Sequence, residues 1–383
     1  MISGKRFKVH YRLAGLLDET AARAVASDIA LEQTVELPDD LIPSQTIRHS
    51  VVGQIESLER QDDHTFETVI SYAEETTGNQ IPQFLNVLFG NCSIKPNIRV
   101  QRLELPEGLF DCFRGPRFGV EGLRQRLGVP ERPLLCTALK PMGLNAKELA
   151  DLAYRFALGG IDLIKDDHGL ADQPFARFDE RVERCAAAVA QANRETGGHS
   201  LYFPNVSLSS SDFPRHLRFA QSAGAGGFLI SPGLTGFDAM RRIAENDEWD
   251  LPILMHPAFL GSFVTHPDNG LSHFALFGQL ARLAGADGSI FPSFGGRFSF
   301  SQAECAEIAE GCAAPMGHFK RIFPVPGGGM SLERVPEMLS VYGRDVIFLI
   351  GGALFRHGPD LTANARHFRE RVERSLPAET TRT

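Results

Sequence analysis

The sequence predicts a mixed α/β protein: a small α+β N-terminal domain of the ferredoxin-like kind, residues 1–125, followed by a C-terminal (β/α)8 TIM barrel, residues 126–383. Three observations carry that prediction. Eight short apolar runs rich in β-formers follow one another after residue 130, amphipathic helical stretches separate them, and the first part of the chain alternates strands and helices differently.

In the N-terminal part, KRFKVHYRLAG alternates in polarity as a half-buried strand does, and DETAARAVASDIALEQ has helical spacing. The stretches around RHSVVGQIESLE and HTFETVISYA read as strands, and NQIPQFLNVLFG reads as a helix. A segment dense in Gly, Pro and Arg, LPEGLFDCFRGPRFGVEGLRQRLGVPERP, then leads into the barrel. The expected barrel strands are LLCTALK (134–140), IDLIKD (161–166), LYFPNVS (201–207), GGFLIS (226–231), LPILMH (251–256), GSIFPS (288–293), RIFPVP (321–326) and VIFLIG (346–351). Helical patterns such as NAKELADLAYRFALGG and HFALFGQLARLAG lie between them, with apolar residues at three and four spacings that form one packing face. Eight units over about 250 residues match a barrel in count and size, whereas an open doubly wound sheet usually has fewer strands. The terminal PAETTRT reads as a frayed tail.

Composition narrows the function. A net charge of −8 without a basic cluster gives no footprint for nucleic acid. No apolar run approaches the roughly 18 residues of a membrane span, and the first residues lack the apolar core of a secretory leader, so the expected compartment is the cytoplasm. Six cysteines, Cys92, Cys112, Cys136, Cys185, Cys305 and Cys312, include no C-x-x-C pair and read as reduced packing residues. An anionic small substrate then needs a local trap of glycine amides, a metal or an arginine.

A TIM barrel holds its active site at the C-terminal ends of its strands. Here those ends carry Lys140, the run Lys165–Asp166–Asp167–His168, Asn205 and His256, followed by the turns FGGRF, PGGG and IGG. Side chains alternate along a strand, so Lys165 and Asp167 point one way and Asp166 the other, while His168 can turn in from the loop. Lys165, Asp167 and His168 are therefore candidate ligands of a divalent cation. The competing reading is a solvated turn with Lys–Asp pairing. A protonated lysine is no ligand, but carbamylation by carbon dioxide would make Lys165 an oxygen donor. Gly296, Arg297, Gly328, Gly329, Gly351 and Gly352 are candidate phosphate-binding residues, because glycine lets backbone N–H groups approach an anion at a strand-to-helix turn. Alternatively, the glycines only relieve crowded turns. Lys140 is placed to shuttle a proton beside a carbonyl, or else snorkels from the rim. His256 serves equally as a catalytic or as a structural residue.

Together these residues resemble the RuBisCO large-chain family, along nearly the whole sequence. CTALKPMGLNAKEL is similar to the family's T-x-x-K-P-K-x-G-L-S, and GGIDLIKDDH to its G-G-x-D-x-x-K-D-D-E. The resemblance implies that Lys140 is the catalytic lysine, that Lys165 is carbamylated, and that Asp167 binds magnesium. It also implies that Asn91 in LFGN and Glu32 in ALEQTVE complete the site of a partner subunit, hence a homodimer. Four departures stand out. His168 occupies the place of a glutamate ligand, KPMG lacks the second lysine, Met255–His256–Pro257 replaces a histidine–arginine pair, and Arg297 falls near a mobile-loop lysine. They imply a RuBisCO-like protein that is not a ribulose bisphosphate carboxylase and that performs enediolate chemistry on a phosphorylated keto-sugar or 3-oxo sugar acid. The expected reaction is decarboxylation of the 3-oxo-isoapionate 4-phosphate type. The alternative is the methylthioribulose 1-phosphate isomerase or enolase of methionine salvage, and an alternative of another class is a catalytically silent sugar-phosphate-binding barrel.

Overall fold

Strand β1 (Arg6–Ala14) buries Phe7, Val9, Tyr11 and Leu13 and turns intervening residues outward, which is the period of two of a sheet with one packed face. It lies between β3 (Thr65–Ala73) and β4 (Ile98–Glu104), with β2 (Gln54–Arg60) outside β3, all antiparallel. The order β4-β1-β3-β2, with helices Glu19–Glu32 and Ile81–Phe89 packed on it, is the expected ferredoxin-like arrangement. Two elements differ from the sequence reading. IRVQRLE forms β4 although it lacks clean alternation, because a bulge opposite His10 and Tyr11 shifts its register and Arg99 is buried within it. The residues before β2 form a short helix, Gln45–Ser50, capped by the Ser44 hydroxyl accepting from the Ile47 N–H.

The structure, a computed structural model, describes residues 2–209 and 212–376, so the PAETTRT segment lies outside the described residues. All eight expected barrel strands are present: β5 (Leu134–Leu139), β6 (Leu163–Asp166), β7 (Leu201–Phe203), β8 (Phe228–Ile230), β9 (Ile253–Met255) and, after the two-residue β10 (Gly270–Leu271), β11 (Gly288–Pro292), β12 (Phe323–Gly327) and β13 (Ile347–Leu349). They run parallel in the order β7-β6-β5-β13-β12-β11-β9-β8, and a parallel bridge between Asn205 and Leu229 joins the two ends into a ring. The strand β10 pairs with β4 instead and so sews the barrel to the N-terminal sheet. Beside it, the Gln279 side chain accepts from the Leu103 N–H at 2.8 Å and donates to its carbonyl at 2.7 Å.

Leu134, Cys136, Leu163, Phe203, Leu229, Leu254, Ile290, Phe323, Val325 and Ile347 fill the barrel as one cluster. Val120, Leu123 and Leu127 of helix Gly119–Leu127 close it from below, and the expected domain boundary between residues 125 and 126 falls inside this helix. The helix start is capped from a distance. Asp287 accepts the N–H groups of Phe118 and Gly119, each at 2.7 Å, and that of Ile253 at 2.9 Å. The six cysteines are free, and among the described residues no helix is long and apolar enough to cross a membrane.

Burial lifts the Asp287 carboxyl to about 6, although its three backbone hydrogen bonds act to lower it. The folded value lies above the ordinary 3.8, so this group's contribution to stability is whole below about pH 4 and is lost as the pH rises through 6. Between pH 4 and 7.5 the wild type should therefore lose about 3 kcal/mol more unfolding free energy than Asp287→Asn, which cannot ionise there. Urea titrations with parallel pH profiles for the two proteins would contradict this assignment.

Candidate active site at the barrel mouth

Lys165 lies one step up the barrel lining from Leu163, and it is only 2% exposed. Its Nζ donates to the Asp166 carbonyl at 3.0 Å. Burial lowers its pKa, the carboxylates and Cys136 oppose that shift, and Lys140 adds to it, so the neutral amine is favoured relative to a lysine in water. Asp166 points the other way, as the strand period predicts. It is fully buried and accepts from the Arg181 Nε at 3.0 Å, the Tyr202 hydroxyl at 2.7 Å and the Asn205 N–H at 3.0 Å. Arg181 is itself fully buried and donates to the carbonyls of Ala176 and Ala171.

Asp167 returns to the lumen side and pairs with Lys140 at 3.2 Å, with the His168 Nδ1 at 3.6 Å from the same oxygen. Burial alone would push the Asp167 carboxyl up. The His168 ring and the charges of Lys140 and Lys165 outweigh it and hold the group well below the usual carboxylate range. His168 stacks on His256 with ring centroids 4.3 Å apart and planes 14° from parallel. The His256 Nδ1 accepts from the Ala258 N–H at 3.2 Å, which leaves the proton of the neutral ring on Nε2. Burial, and then the charges of Lys165 and His168, pull its pKa well below the ordinary value, so the ring is neutral. Asn205 fixes the loop that carries His168 by donating to the carbonyls of His168 at 2.9 Å and Leu170 at 2.8 Å. Sequence reasoning placed Asn205 at a strand end without a role, and it missed Arg181 and Tyr202.

Lys140, Lys165, Asp167, His168 and His256 are thus gathered at one end of the barrel. Magnesium is a hard cation that prefers oxygen donors, of which Asp167 provides one, while His168 offers a less suited imidazole nitrogen. Among the described residues no group of three His, Cys, Asp and Glu side chains could hold a metal ion. The residues fit the ion only if Lys165 becomes an oxygen donor, and the desolvated amine suits reaction with carbon dioxide.

The glycine turns divide into two kinds. A Cβ on Gly296 would lie 1.8 Å from the Gly328 carbonyl oxygen, and one on Gly329 would lie 2.7 Å from the Gly296 Cα, so the loops after β11 and β12 cross in direct contact. Crowding accounts for these two glycines. Arg334, missed in the sequence, ties the same loops by donating to the carbonyls of Phe294 at 2.8 Å and Gly329 at 3.4 Å. Gly351 and Gly352, after β13, have nothing within 4 Å of an added Cβ, so each has open space on its side-chain face. Gly328 adopts φ +75° in the turn after β12. Arg297 is exposed, with its guanidinium 5.0 Å from the Phe298 ring centre and no hydrogen bond to the cluster among the described residues.

Asn91 and Glu32 come together on the N-terminal domain, where the Asn91 Nδ2 donates to Glu32 at 2.9 Å and to Glu36 at 3.2 Å. Among the described residues none of their polar contacts reaches the mouth of their own barrel.

Residues 119–381 match the family described as ribulose bisphosphate carboxylase large chain, catalytic domain. The chain is 40% identical over 364 residues to a 5-methylthioribulose-1-phosphate isomerase of Rhodospirillum rubrum, covering 95% of each. It is 32% identical over 366 residues to a 2,3-diketo-5-methylthiopentyl-1-phosphate enolase of Bacillus licheniformis, covering 94% of this chain and 89% of the relative. Among solved structures, a Rubisco-like protein of Rhodopseudomonas palustris superposes with a TM-score of 0.87 at 37% identity, covering 98% of this chain and 99% of the other.

The Asp166–Arg181 pair generates a stability prediction. Arg181→Met should strand a buried carboxylate and cost about 3–5 kcal/mol in urea unfolding, and adding Asp166→Asn should restore part of the loss. A single-variant loss below about 1 kcal/mol would mean that the pair does not anchor the strand.

Proposed function

The chain belongs to the ribulose bisphosphate carboxylase large-chain family, in its RuBisCO-like branch, and on that premise we propose that it isomerises a phosphorylated keto-sugar through an enediol, with a substrate of the 5-methylthioribulose 1-phosphate type. The observation that carries this reading is the Lys140–Asp167 pair at the mouth, above a second, buried lysine and beside a neutral histidine. Lys140 has 41% of its side chain exposed and is the lysine of the two that reaches a bound substrate. Once its ammonium has passed its proton to solvent, the Lys140 amine takes the proton from the carbon beside the carbonyl and the electron pair moves toward the carbonyl oxygen; the regenerated ammonium returns the proton to the former carbonyl carbon while the neighbouring hydroxyl gives up its own to become the new carbonyl. The His256 Nε2–H is a neutral donor for a substrate oxygen. Asn205 holds the His168 loop still, and the free space beside Gly351 and Gly352 lets the phosphate approach their backbone.

Asp167, His168 and a carbamate on Lys165 would hold magnesium, which when bound supplies the positive charge that stabilises an enediolate oxygen. A thioether substrate is supported by Met142, 51% exposed, whose Cε lies 2.5 Å from where a Cβ on Gly169 would stand, across the loop after β6. An apolar side chain there suits an alkylthio group and offers nothing to a second phosphate. The names of the isomerase and enolase relatives carry both a 5-methylthio group and a 1-phosphate, which supports the same substrate class. No residue at the mouth favours decarboxylation of 3-oxo-isoapionate 4-phosphate, and that reading is set aside. The preserved Lys140–Asp167 pair argues against a silent binding barrel.

A homodimer with a shared site is part of the proposal. Met142, Phe175, Leu234, Phe259, Phe263 and Phe298 are exposed in the segments that follow β5, β6, β8, β9 and β11, and Asn91 and Glu32 stand unused by their own barrel.

With magnesium and bicarbonate in deuterated water, the wild type should exchange the α-proton of 5-methylthioribulose 1-phosphate, and Lys140→Ala should lose about 10²–10⁴-fold in rate. Full exchange by Lys140→Ala or by Lys165→Ala would sink the assigned roles. Mixing inactive Lys140→Ala with inactive Asn91→Ala should restore roughly a quarter of wild-type activity through hybrid dimers with one intact site. No recovery after subunit exchange would place Asn91 outside the site.

A further inference from the structure

At the end of the barrel opposite the reactive cluster lies a cleft of about 450 Å³ that the proposed reaction leaves unused. It opens between the turn after helix Gly119–Leu127, the loops that lead into β6 and β7, and the C-terminal helix Leu361–Arg374. Its size is that of a small-metabolite site. Gly128, Gly159, Gly160, Gly197 and Gly198 line it, so much of the wall is main chain.

The lining carries three arginines, Arg132, Arg366 and Arg369, against three carboxylates, but the pairing between them is uneven. Three carboxylates face the cleft, and each is already engaged. Asp162 takes both Nη groups of Arg132 at 2.7 Å, Glu373 pairs with Arg369 at 2.9 Å, and Glu370 pairs with Arg374 at 2.9 Å. Arg132 is rigid as well as charged, because its side chain is only 9% exposed and its Nε faces Glu373 at 3.5 Å. Arg369 lies against the chain at Gly160, where an added Cβ would meet its Nη1 at 2.7 Å. Arg366 completes the lining, and among the described residues it has no hydrogen bond or ion pair. His199 also lines the cleft, beside Gly128.

We propose that this cleft binds a small metabolite carrying a phosphate group, with Arg366 as the principal cation and Arg132, Arg369 and His199 around it. A guanidinium without a carboxylate partner, set among others held in place, matches the planar two-point recognition of a phosphate. Inorganic phosphate would fill only part of the space, so a sugar-sized phosphate ester is the class the cleft takes. The site is separate from the catalytic one, since it lies at the N-terminal ends of β6 and β7.

Equilibrium dialysis of the full-length protein with labelled inorganic phosphate, at ionic strength fixed with chloride, separates the two ends of the barrel. Under both proposals the wild type binds two phosphates per chain. Arg366→Glu, at an exposed position, retains the one at the mouth. Gly352→Asp, which puts a carboxylate into open space beside the phosphate turn, retains the one in the cleft. Arg366→Ser should weaken the cleft site roughly tenfold. If Arg366→Glu and the wild type bind identically while Gly352→Asp binds nothing, the cleft is not a phosphate site. If the wild type binds one phosphate that Arg366→Glu abolishes, the cleft proposal stands and the phosphate turn at the mouth falls.

Discussion

Asp166, shut away from water, accepts hydrogen bonds from a buried arginine, a buried tyrosine and the backbone of the next strand, and the direction of every neighbouring side chain follows from it. A strand cannot rotate one residue without rotating the next. With Asp166 locked outward toward Arg181, Lys165 and Asp167 have only the lumen to face. The lock is expensive to form, since two charges leave water, and its return is in register more than in stability. Helix Phe178–Thr196, which carries Arg181, is thereby tied to the mouth of the barrel it packs against.

That geometry sets the electrostatics. Asp167 is the carboxylate of the cluster that faces the lumen, and two lysines bear on it from different depths. Lys140 stands in partial contact with water and makes the ion pair, whereas Lys165 has lost its hydration and is pushed toward the neutral amine. Two identical side chains are thus given different chemistry chiefly by burial. The same desolvation keeps His256 neutral, so the cluster carries less positive charge than its residue types suggest.

Much of this was legible in the sequence. The barrel strands announce themselves because each is an apolar run closed by glycine, proline or polar residues, and the inward parity of Lys165 and Asp167 follows from the pleat. Strand β4 stayed hidden because a bulge and a buried arginine break its alternation. Arg181 and Arg334 stayed hidden for another reason. Each works by donating to backbone carbonyls of other segments, as Arg334 does to Phe294 forty residues away, and no local pattern encodes a carbonyl's position. The late glycines were visible as a set but not as two kinds. Only the folded chain separates Gly296 and Gly329, which make room for each other, from Gly351 and Gly352, which make room for nothing in this chain.

The crossing of the loops after β11 and β12 also bears on how such a sequence can drift. Where one backbone passes within contact of another, a methyl group gained on either side must be answered by a displacement of the opposite loop. Neither glycine can be exchanged first and repaired later at small cost, so the two positions form a coupled pair. The loops they sit on have to be remodelled together, by insertion or exchange of both, for the shape of this side of the mouth to change at all.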